Sequence, residues 1–176
     1  MRVGLIGYGL FGRHHAAALQ ELPNCALAAI ACASEATAAQ AQTDHPGVAV
    51  LQDWRALLAL PQVEAVHIVT PNALHAEMAI AALQAGKHVL LEKPMATTLA
   101  DCDRLIAAER ASGKVLTVDF ELRQSEQWAP IKHLIDAGEI GTPRYINVAL
   151  ARFPYRSGSG NWRVTSKQVG SWILEE

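Results

Sequence analysis

The sequence predicts an α/β fold, in which a doubly wound parallel sheet is followed by the start of a second α/β substrate domain. Three observations lead to this prediction. Short apolar β-type runs alternate with longer helical patterns up to about residue 120, which is the rhythm of βαβ units. A glycine-rich turn directly follows the first apolar run, and the alternation stops near residue 120. We therefore predict domains at 1–120 and 121–176.

The predicted elements follow one another in a regular order. The apolar runs predict six strands, at 2–6, 26–31, 47–51, 64–69, 87–92 and 114–119. The longer patterns between them predict five helices, at 11–21, 35–43, 53–60, 73–85 and 98–111. In the second domain we predict a helix at about 128–137 and a strand at about 143–152, whose pattern indicates a different sheet.

Residues with known capping preferences support several of these boundaries. Thr98 begins a capping-box pattern, and Asp53 and Asn72 are favoured N-cap types. Gly86 and Gly113 occupy the positions just past two helices, where glycine is favoured.

Composition excludes several classes of protein. Hydrophobic residues make up 51% of the 176 residues and charged residues 18%, so a buried core is expected and wholesale disorder is not. The net charge of −2 without a basic block argues against nucleic-acid binding. No apolar stretch reaches the ~20 residues that span a membrane, and the chain opens directly into a strand without signal-peptide architecture. Cys25, Cys32 and Cys102 lack C-x-x-C spacing, so we predict reduced thiols, no metal site and a cytoplasmic protein.

Residues 7–12, here called the glycine turn, read Gly-Tyr-Gly-Leu-Phe-Gly and lie between a predicted strand and helix. In such a turn Gly7 permits the tight bend, Gly9 lets a pyrophosphate approach the backbone, and Gly12 lets helix and strand pack closely. The helix start, with Leu10 and Phe11, offers free N–H groups and a positive dipole end to an anion. The turn predicts NAD or NADP binding in a Rossmann fold; the alternative is a glycine-rich turn without a ligand.

The acidic residue that usually binds the ribose 2′-hydroxyl is missing from the end of the second strand. Cys32 occupies that position, and Glu35 lies a few residues late, where it caps or solvates the next helix. Ser34 could donate to a 2′-phosphate, but no arginine is near enough to clamp one. We therefore predict weak discrimination between NAD and NADP.

A second motif, Glu92-Lys93-Pro94, follows the apolar run Val89-Leu90-Leu91 and is here called the lysine turn. Ligands of open α/β sheets bind outside the carboxyl ends of the strands, so both turns are expected to face one crevice. The alternative is a solvated strand end with an ordinary surface ion pair, which contributes little to stability.

These motifs resemble the Gfo/Idh/MocA family of glucose-fructose oxidoreductases and inositol dehydrogenases. The resemblance covers nearly all of the chain, and its most specific part is the segment 85–94, Ala-Gly-Lys-His-Val-Leu-Leu-Glu-Lys-Pro. It implies that the first domain binds NAD or NADP and that a second, mixed α/β domain with a large open sheet holds the substrate. It also implies a cis peptide before Pro94, and assembly of the full-length form as a homo-oligomer through the second domain.

The resemblance implies that Lys93 is catalytic, and the chemistry agrees. Hydride transfer from an alcohol carbon needs removal of the hydroxyl proton and stabilisation of the developing alkoxide, which a lysine in a dry cleft can provide. Glu92 could hydrogen-bond a ribose hydroxyl or hold the lysine. Thr70-Pro71-Asn72, here called the threonine turn, ends the fourth strand, and the resemblance places it at the ribose and nicotinamide side of the cofactor.

Four histidines and three further residues complete the candidates. We predict that His75 neighbours the cofactor without acting as a base, that His14 and His15 are surface or supporting groups, and that His67 is in the core. Arg123 follows the last strand of the first domain, and Trp162 and Arg163 resemble a family segment near the substrate, although ordinary packing or a surface cation is slightly favoured for each.

The resemblance places a catalytic histidine in a D-x-x-x-H pattern, and residues 170–176 align with its beginning. Glu175 falls at the aspartate position, and the sequence stops before the histidine. The expected function is hydride transfer between nicotinamide and a secondary hydroxyl or ketone of a sugar, cyclitol or related polyol, with the 176 residues alone expected to bind cofactor without turnover. The alternatives are a non-catalytic dinucleotide-binding module and an inactive fragment with an assembly role.

Overall fold

The computed structural model describes residues 1–149. These residues fall into two compact units, Met1–Asp119 and Phe120–Ser157, the second described as far as residue 149. Within the described part, no helix is long and apolar enough to cross a bilayer.

The first unit is built on a six-stranded sheet whose neighbouring strands all pair in parallel. Its strands are β1 Arg2–Ile6, β2 Ala26–Ala31, β3 Ala49–Leu51, β4 Ala65–Ile68, β5 His88–Glu92 and β6 Leu116–Asp119. They lie in the order β3-β2-β1-β4-β5-β6, which is that of a Rossmann fold. The predicted fold class is confirmed, and the carboxyl ends of all six strands lie at one edge of the sheet.

Five helices connect these strands, and a sixth lies in the second unit. They are α1 Leu10–Glu21, α2 Glu35–Asp44, α3 Trp54–Leu58, α4 His75–Gln84, α5 Leu99–Ser112 and α6 Trp128–Asp136. Every helix lies within two residues of its predicted bounds, and 3-10 turns occupy Asn72–Leu74 and Glu121–Gln124.

Successive residues of β1 point to opposite faces of the sheet, and this alternation places helices on both. Leu5 belongs to a buried cluster with Ala16 of α1 and Ala41 of α2. Ile6 belongs to another, with Leu57 of α3, Ala79 of α4 and other residues of the central strands. The two clusters form the core on either side of β1 and explain why its apolar run is continuous.

The predicted caps are confirmed at Thr98 and Asp53, whose side chains accept from the backbone N–H groups of Asp101 and Arg55. At Asn72 the cap prediction is wrong: Pro71 precedes a 3-10 turn there, and α4 begins only at His75. Asn72 is therefore the first residue of that 3-10 turn rather than a cap, and it is buried.

The strand predicted at 143–152 is wrong over 143–149, which belong to no strand, while residues 150–152 lie outside the described part. A strand exists only when a neighbour accepts and donates its backbone hydrogen bonds. The described residues of the second unit contain no such neighbour, so an alternating pattern alone does not produce a strand there.

Candidate functional site

The glycine turn has the geometry that its three glycines predict. Gly7 has a φ of +100°, and a Cβ there would collide with the Val69 carbonyl oxygen. A Cβ on Gly12 would collide with the carbonyl oxygen of Gly7. At Gly9, by contrast, a Cβ would meet nothing within 4 Å. Gly7 and Gly12 are therefore required by the fold, whereas Gly9 leaves open space before the N-terminus of α1, where a pyrophosphate fits.

Besides its three glycines, the turn contains Tyr8, which was not among the residues predicted from the sequence. Its hydroxyl donates to Asp44 Oδ2 at 2.9 Å and so ties the turn to the end of α2. Burial and this hydrogen bond raise the pKa of Tyr8 to about 12, and the same bond lowers the pKa of Asp44. No local signal marks this contact, since the two residues are 36 positions apart.

At the end of β2, the structure separates the two predicted ribose-side residues. Cys32 is only 2% exposed, lies in the cluster under α1 and α2, and has its pKa raised by burial. Ser34 is exposed and is the N-cap of α2, with a capping box formed with Thr37. The thiol therefore points into the core, and Ser34 is the exposed one of the two.

The threonine turn and the lysine turn are joined by a buried histidine. His75 is completely buried at the start of α4. Its Nδ1 lies 2.7 Å from the carbonyl oxygen of Pro94, and its Nε2 lies 3.0 Å from that of Thr70. The ring thus bridges the backbones of the two turns, and its predicted place next to the cofactor stays a prediction.

The lysine turn lies at the end of β5, and its Lys93–Pro94 peptide is cis, as the resemblance implies. Glu92 is not a solvated strand end, because its side chain is 14% exposed. Glu92 Oε2 accepts from the backbone N–H of Lys93 at 3.0 Å, while Oε1 lies 2.9 Å from His15 Nε2. Of the two predicted roles for Glu92, this geometry corresponds to holding the lysine.

Next to Glu92 lies a group of three polar residues from three other elements, α1, β4 and β6. His67 of β4 is 2% exposed, and neither of its ring nitrogens has a hydrogen-bond partner among the described residues. Burial, with His15 nearby, lowers the pKa of His67 to about 3, so the ring is neutral. The predicted core position of His67 is confirmed. One polar atom from each of His15, His67 and Asp119 lies within 4.8 Å of the others.

The predicted substrate-side residues are only partly described. Arg123 lies in the 3-10 turn of the second unit, exposed, with its guanidinium 4.9 Å from the centre of the Phe120 ring. Trp162, Arg163 and Glu175 lie outside the described residues. A substrate role for these four residues stays a prediction.

The described site consists of three turns at the carboxyl edge of one parallel sheet. These are the glycine turn, with open space at Gly9, the threonine turn, and the lysine turn, in which the backbone N–H of Lys93 donates to Glu92. A family model described as "Oxidoreductase family, NAD-binding Rossmann fold", GFO_IDH_MocA, matches residues 1–120. The chain belongs to the Gfo/Idh/MocA oxidoreductase family.

Curated relatives within the family include dehydrogenases of cyclitols and sugars. Inositol 2-dehydrogenase of Salmonella paratyphi B is 35% identical over 150 residues, which are 84% of this chain and 45% of that protein. Levoglucosan dehydrogenase of Pseudarthrobacter phenanthrenivorans is 35% identical over 149 residues, 80% of this chain and 38% of that protein. The chain therefore spans about half, or less, of the length of the Gfo/Idh/MocA relatives it matches.

Solved structures agree with this assignment. Biliverdin reductase from Synechocystis, in complex with biliverdin and NADP⁺, superposes with a TM-score of 0.82 at 31% identity, covering 98% of this chain and 54% of that one. The myo-inositol 2-dehydrogenase of Lactobacillus plantarum superposes with a TM-score of 0.74 at 25% identity, covering 80% of this chain and 42% of that one.

Proposed function

We propose that this chain binds NAD(H) or NADP(H) and supplies a catalytic lysine for hydride transfer to or from a secondary hydroxyl or ketone of a sugar, cyclitol or related polyol. The observation that carries the proposal is the contact between His15 of α1 and Glu92 of β5, at 2.9 Å. It joins the helix that follows the glycine turn to the strand that carries Lys93, so a bound dinucleotide and the lysine would share one edge of the sheet.

The residues present fit a dinucleotide. Gly9 leaves room for the pyrophosphate, and the first N–H groups of α1 would bind it. Ser34 is exposed, and we propose that the adenosine ribose lies beside it and that the threonine turn faces the nicotinamide. When bound, the nicotinamide supplies a two-electron hydride acceptor or donor.

Lys93 would act on the oxygen of the substrate. Its ammonium can stabilise the alkoxide that develops as an alcohol is oxidised, and its amine can relay the hydroxyl proton. Glu92 holds the lysine by accepting from its backbone N–H, and His75 holds the following residue through the Pro94 carbonyl group. The chain thus places the charged group while two buried or half-buried neighbours restrain its backbone.

Calorimetric titration of the chain with NAD⁺, NADH, NADP⁺ and NADPH tests the cofactor part of this proposal. We expect measurable heat with at least one of them. Absence of heat with all four, on a sample whose circular dichroism shows a folded chain, would contradict it. The relatives that are named as dehydrogenases favour this proposal over a non-catalytic dinucleotide-binding module, and turnover separates the two.

Substitution of Lys93 with Met tests the catalytic part. The assay uses a form of the protein that oxidises at least one member of a panel of inositols and sugars. In that form we expect Lys93→Met to lower kcat by about 10²–10⁴-fold, the range typical of a lost acid–base group. The dissociation constant of the cofactor should change little, because Lys93 acts on the substrate oxygen. An equal loss of cofactor affinity and of kcat would instead indicate that Lys93 serves cofactor binding.

A further inference from the structure

We propose that His15 is a positioning residue for Lys93, acting through Glu92. This inference deepens the proposed function and depends on it for its catalytic meaning. From the sequence, His15 is expected only at the surface or in a supporting role, because nothing along the chain connects it with residue 92. The structure brings the two side chains together across 77 positions.

Both carboxylate oxygens of Glu92 form hydrogen bonds. Oε1 lies 2.9 Å from His15 Nε2, and Oε2 accepts from the backbone N–H of Lys93 at 3.0 Å. A carboxylate oxygen can only accept, so Nε2 of His15 carries the hydrogen and donates it. Glu92 is therefore a bridge, with the histidine of α1 on one side and the backbone of the lysine on the other.

The charge state of Glu92 agrees with this bridge. Burial acts to raise its pKa, but the hydrogen bond and charge of His15 and the backbone N–H of Lys93 outweigh burial, so the pKa is lowered. The carboxylate is thus ionised at neutral pH, and ionised acceptors form the stronger hydrogen bonds. Without His15, Oε1 of Glu92 would lose its hydrogen-bond donor. The negative charge of the carboxylate would then act more strongly on the nearby positive charge of Lys93.

The ring of His15 is also confined by the buried side chain of His67. The neutral ring of buried His67 packs edge-on against it, with centroids 4.4 Å apart and planes at 73°. His15 lies in the second turn of α1, six residues after Gly9, or roughly 9 Å along the helix at 1.5 Å per residue. Because a helix is a stiff element, His15 holds the lysine turn at a set distance from the end of α1 that would bind the pyrophosphate.

The test measures how fast acetic anhydride modifies Lys93 in the cofactor-free chain, relative to exposed Lys132 of the same molecule, by peptide mass spectrometry. Only the unprotonated amine reacts. In His15→Phe the freed carboxylate attracts the ammonium more strongly, so we expect labelling of Lys93 to slow about threefold, the effect of one partly screened charge pair. In Glu92→Gln that attraction is lost, and we expect labelling to accelerate by a similar factor.

Two variants make the comparison specific. His15→Gln keeps a side-chain N–H donor and should restore labelling toward the wild-type rate. His14→Phe makes the same chemical change on the adjacent, exposed residue and should leave it unchanged. A purely structural role of His15 would lower the melting temperature without opposite effects of the His15 and Glu92 substitutions on labelling.

Wild-type labelling rates in both His15→Phe and Glu92→Gln would overturn the inference. If His15→Phe does not fold, His15→Leu, which also lacks a side-chain donor, takes its place, and a wild-type labelling rate in that variant would overturn the inference. NADH titration of the same samples is a separate measurement: a wild-type chain that binds no dinucleotide contradicts the proposed function, while the cofactor-free labelling still decides whether His15 positions Lys93.

Discussion

The three glycines of residues 7–12 show how differently identical residues are constrained within one turn. Gly7 has a positive φ and, like Gly12, lacks room for a Cβ, so both are required for the chain to fold in this way. Gly9 has a φ of −79°, which any residue adopts, and open space around its Cα. The fold does not require glycine there, which agrees with the proposal that a ligand approaches the backbone at Gly9.

Replacing Gly9 with Val separates ligand binding from folding. We expect the melting temperature to stay close to that of the wild type, since nothing lies within 4 Å of the new Cβ. Affinity for NAD(H) or NADP(H) should fall by at least about tenfold, or 1.4 kcal/mol, because the side chain occupies the pyrophosphate's path. Calorimetric titration and thermal unfolding measure the two effects.

The matched control is Gly12→Val, which forces a Cβ against the Gly7 carbonyl oxygen and should destabilise the fold by about 1–3 kcal/mol. If Gly9→Val binds dinucleotide as tightly as the wild type, the pyrophosphate does not pass over Gly9.

His67, a buried histidine of β4, makes the stability of the fold depend on pH. Its pKa is about 3 in the folded chain, whereas in the unfolded chain it returns toward about 6.5. Between these values the unfolded chain binds a proton that the folded chain excludes. The free energy of unfolding therefore falls as the pH is lowered through this window, by up to ~1.4 kcal/mol per pH unit from this residue.

Replacing His67 with Leu should remove this contribution. We expect the stability of the variant, relative to the wild type, to rise by about 1.4 kcal/mol per pH unit as the pH is lowered from 6 to 4. At pH 7 the two should be close, because an apolar side chain replaces a ring without hydrogen-bond partners among the described residues. Urea unfolding at several pH values measures this, and parallel stability curves would contradict it.

At the scale of elements, the N-terminus of α2 decides which of Cys32 and Ser34 is exposed at the proposed ribose site. The side chain of Cys32 belongs to the core on which α1 and α2 pack, whereas Ser34 is the solvent-exposed N-cap of α2. An acidic residue introduced at Cys32 would bury a charge, whereas one introduced at Ser34 would preserve the cap, since aspartate is also a favoured N-cap.

Ser34→Asp should therefore shift cofactor preference toward NAD while α2 stays intact. A carboxylate there accepts from ribose hydroxyl groups and repels a 2′-phosphate, so we expect the affinity for NADPH to fall at least about tenfold relative to NADH, or 1.4 kcal/mol. Ser34→Asn is the neutral, cap-preserving control. Titration of both variants with NADH and NADPH measures the ratio, and an unchanged ratio would show that the ribose is bound elsewhere.

At the scale of the whole molecule, dinucleotide binding should stabilise the fold, because the glycine turn forms only when β1, β4 and α1 are packed together. At a ligand concentration of 100 times the dissociation constant, linkage contributes about 2.7 kcal/mol. For a chain of this size we expect a rise in melting temperature of about 5–10 °C. Differential scanning calorimetry with and without NADH measures it, and Gly9→Val should show no rise; an equal rise in that variant would show stabilisation at another site.

The amino-acid sequence was sufficient for the order of the elements in Met1–Asp119 and for the placement of the three turns at the carboxyl edge of the sheet. Apolar runs, caps and glycines are local signals, so β1, α1 and the glycine turn could be located without any contact being known. Parallel strands also share one carboxyl edge, which brings the residues after β1, β4 and β5 together by topology alone. The same pattern did not predict the structure at 143–149, where the residues that the structure describes include no partner strand.

Only the tertiary structure decided how individual side chains are oriented at that edge. Cys32 turns into the core, Tyr8 reaches α2, and His15 meets Glu92 across 77 positions. The physical reason is that the rotation of α1 on the sheet, set by packing of the whole core, determines which of its residues face β5. No residue-by-residue pattern encodes that rotation, so the contact that links the two motifs becomes visible only after the sheet and its helices have packed.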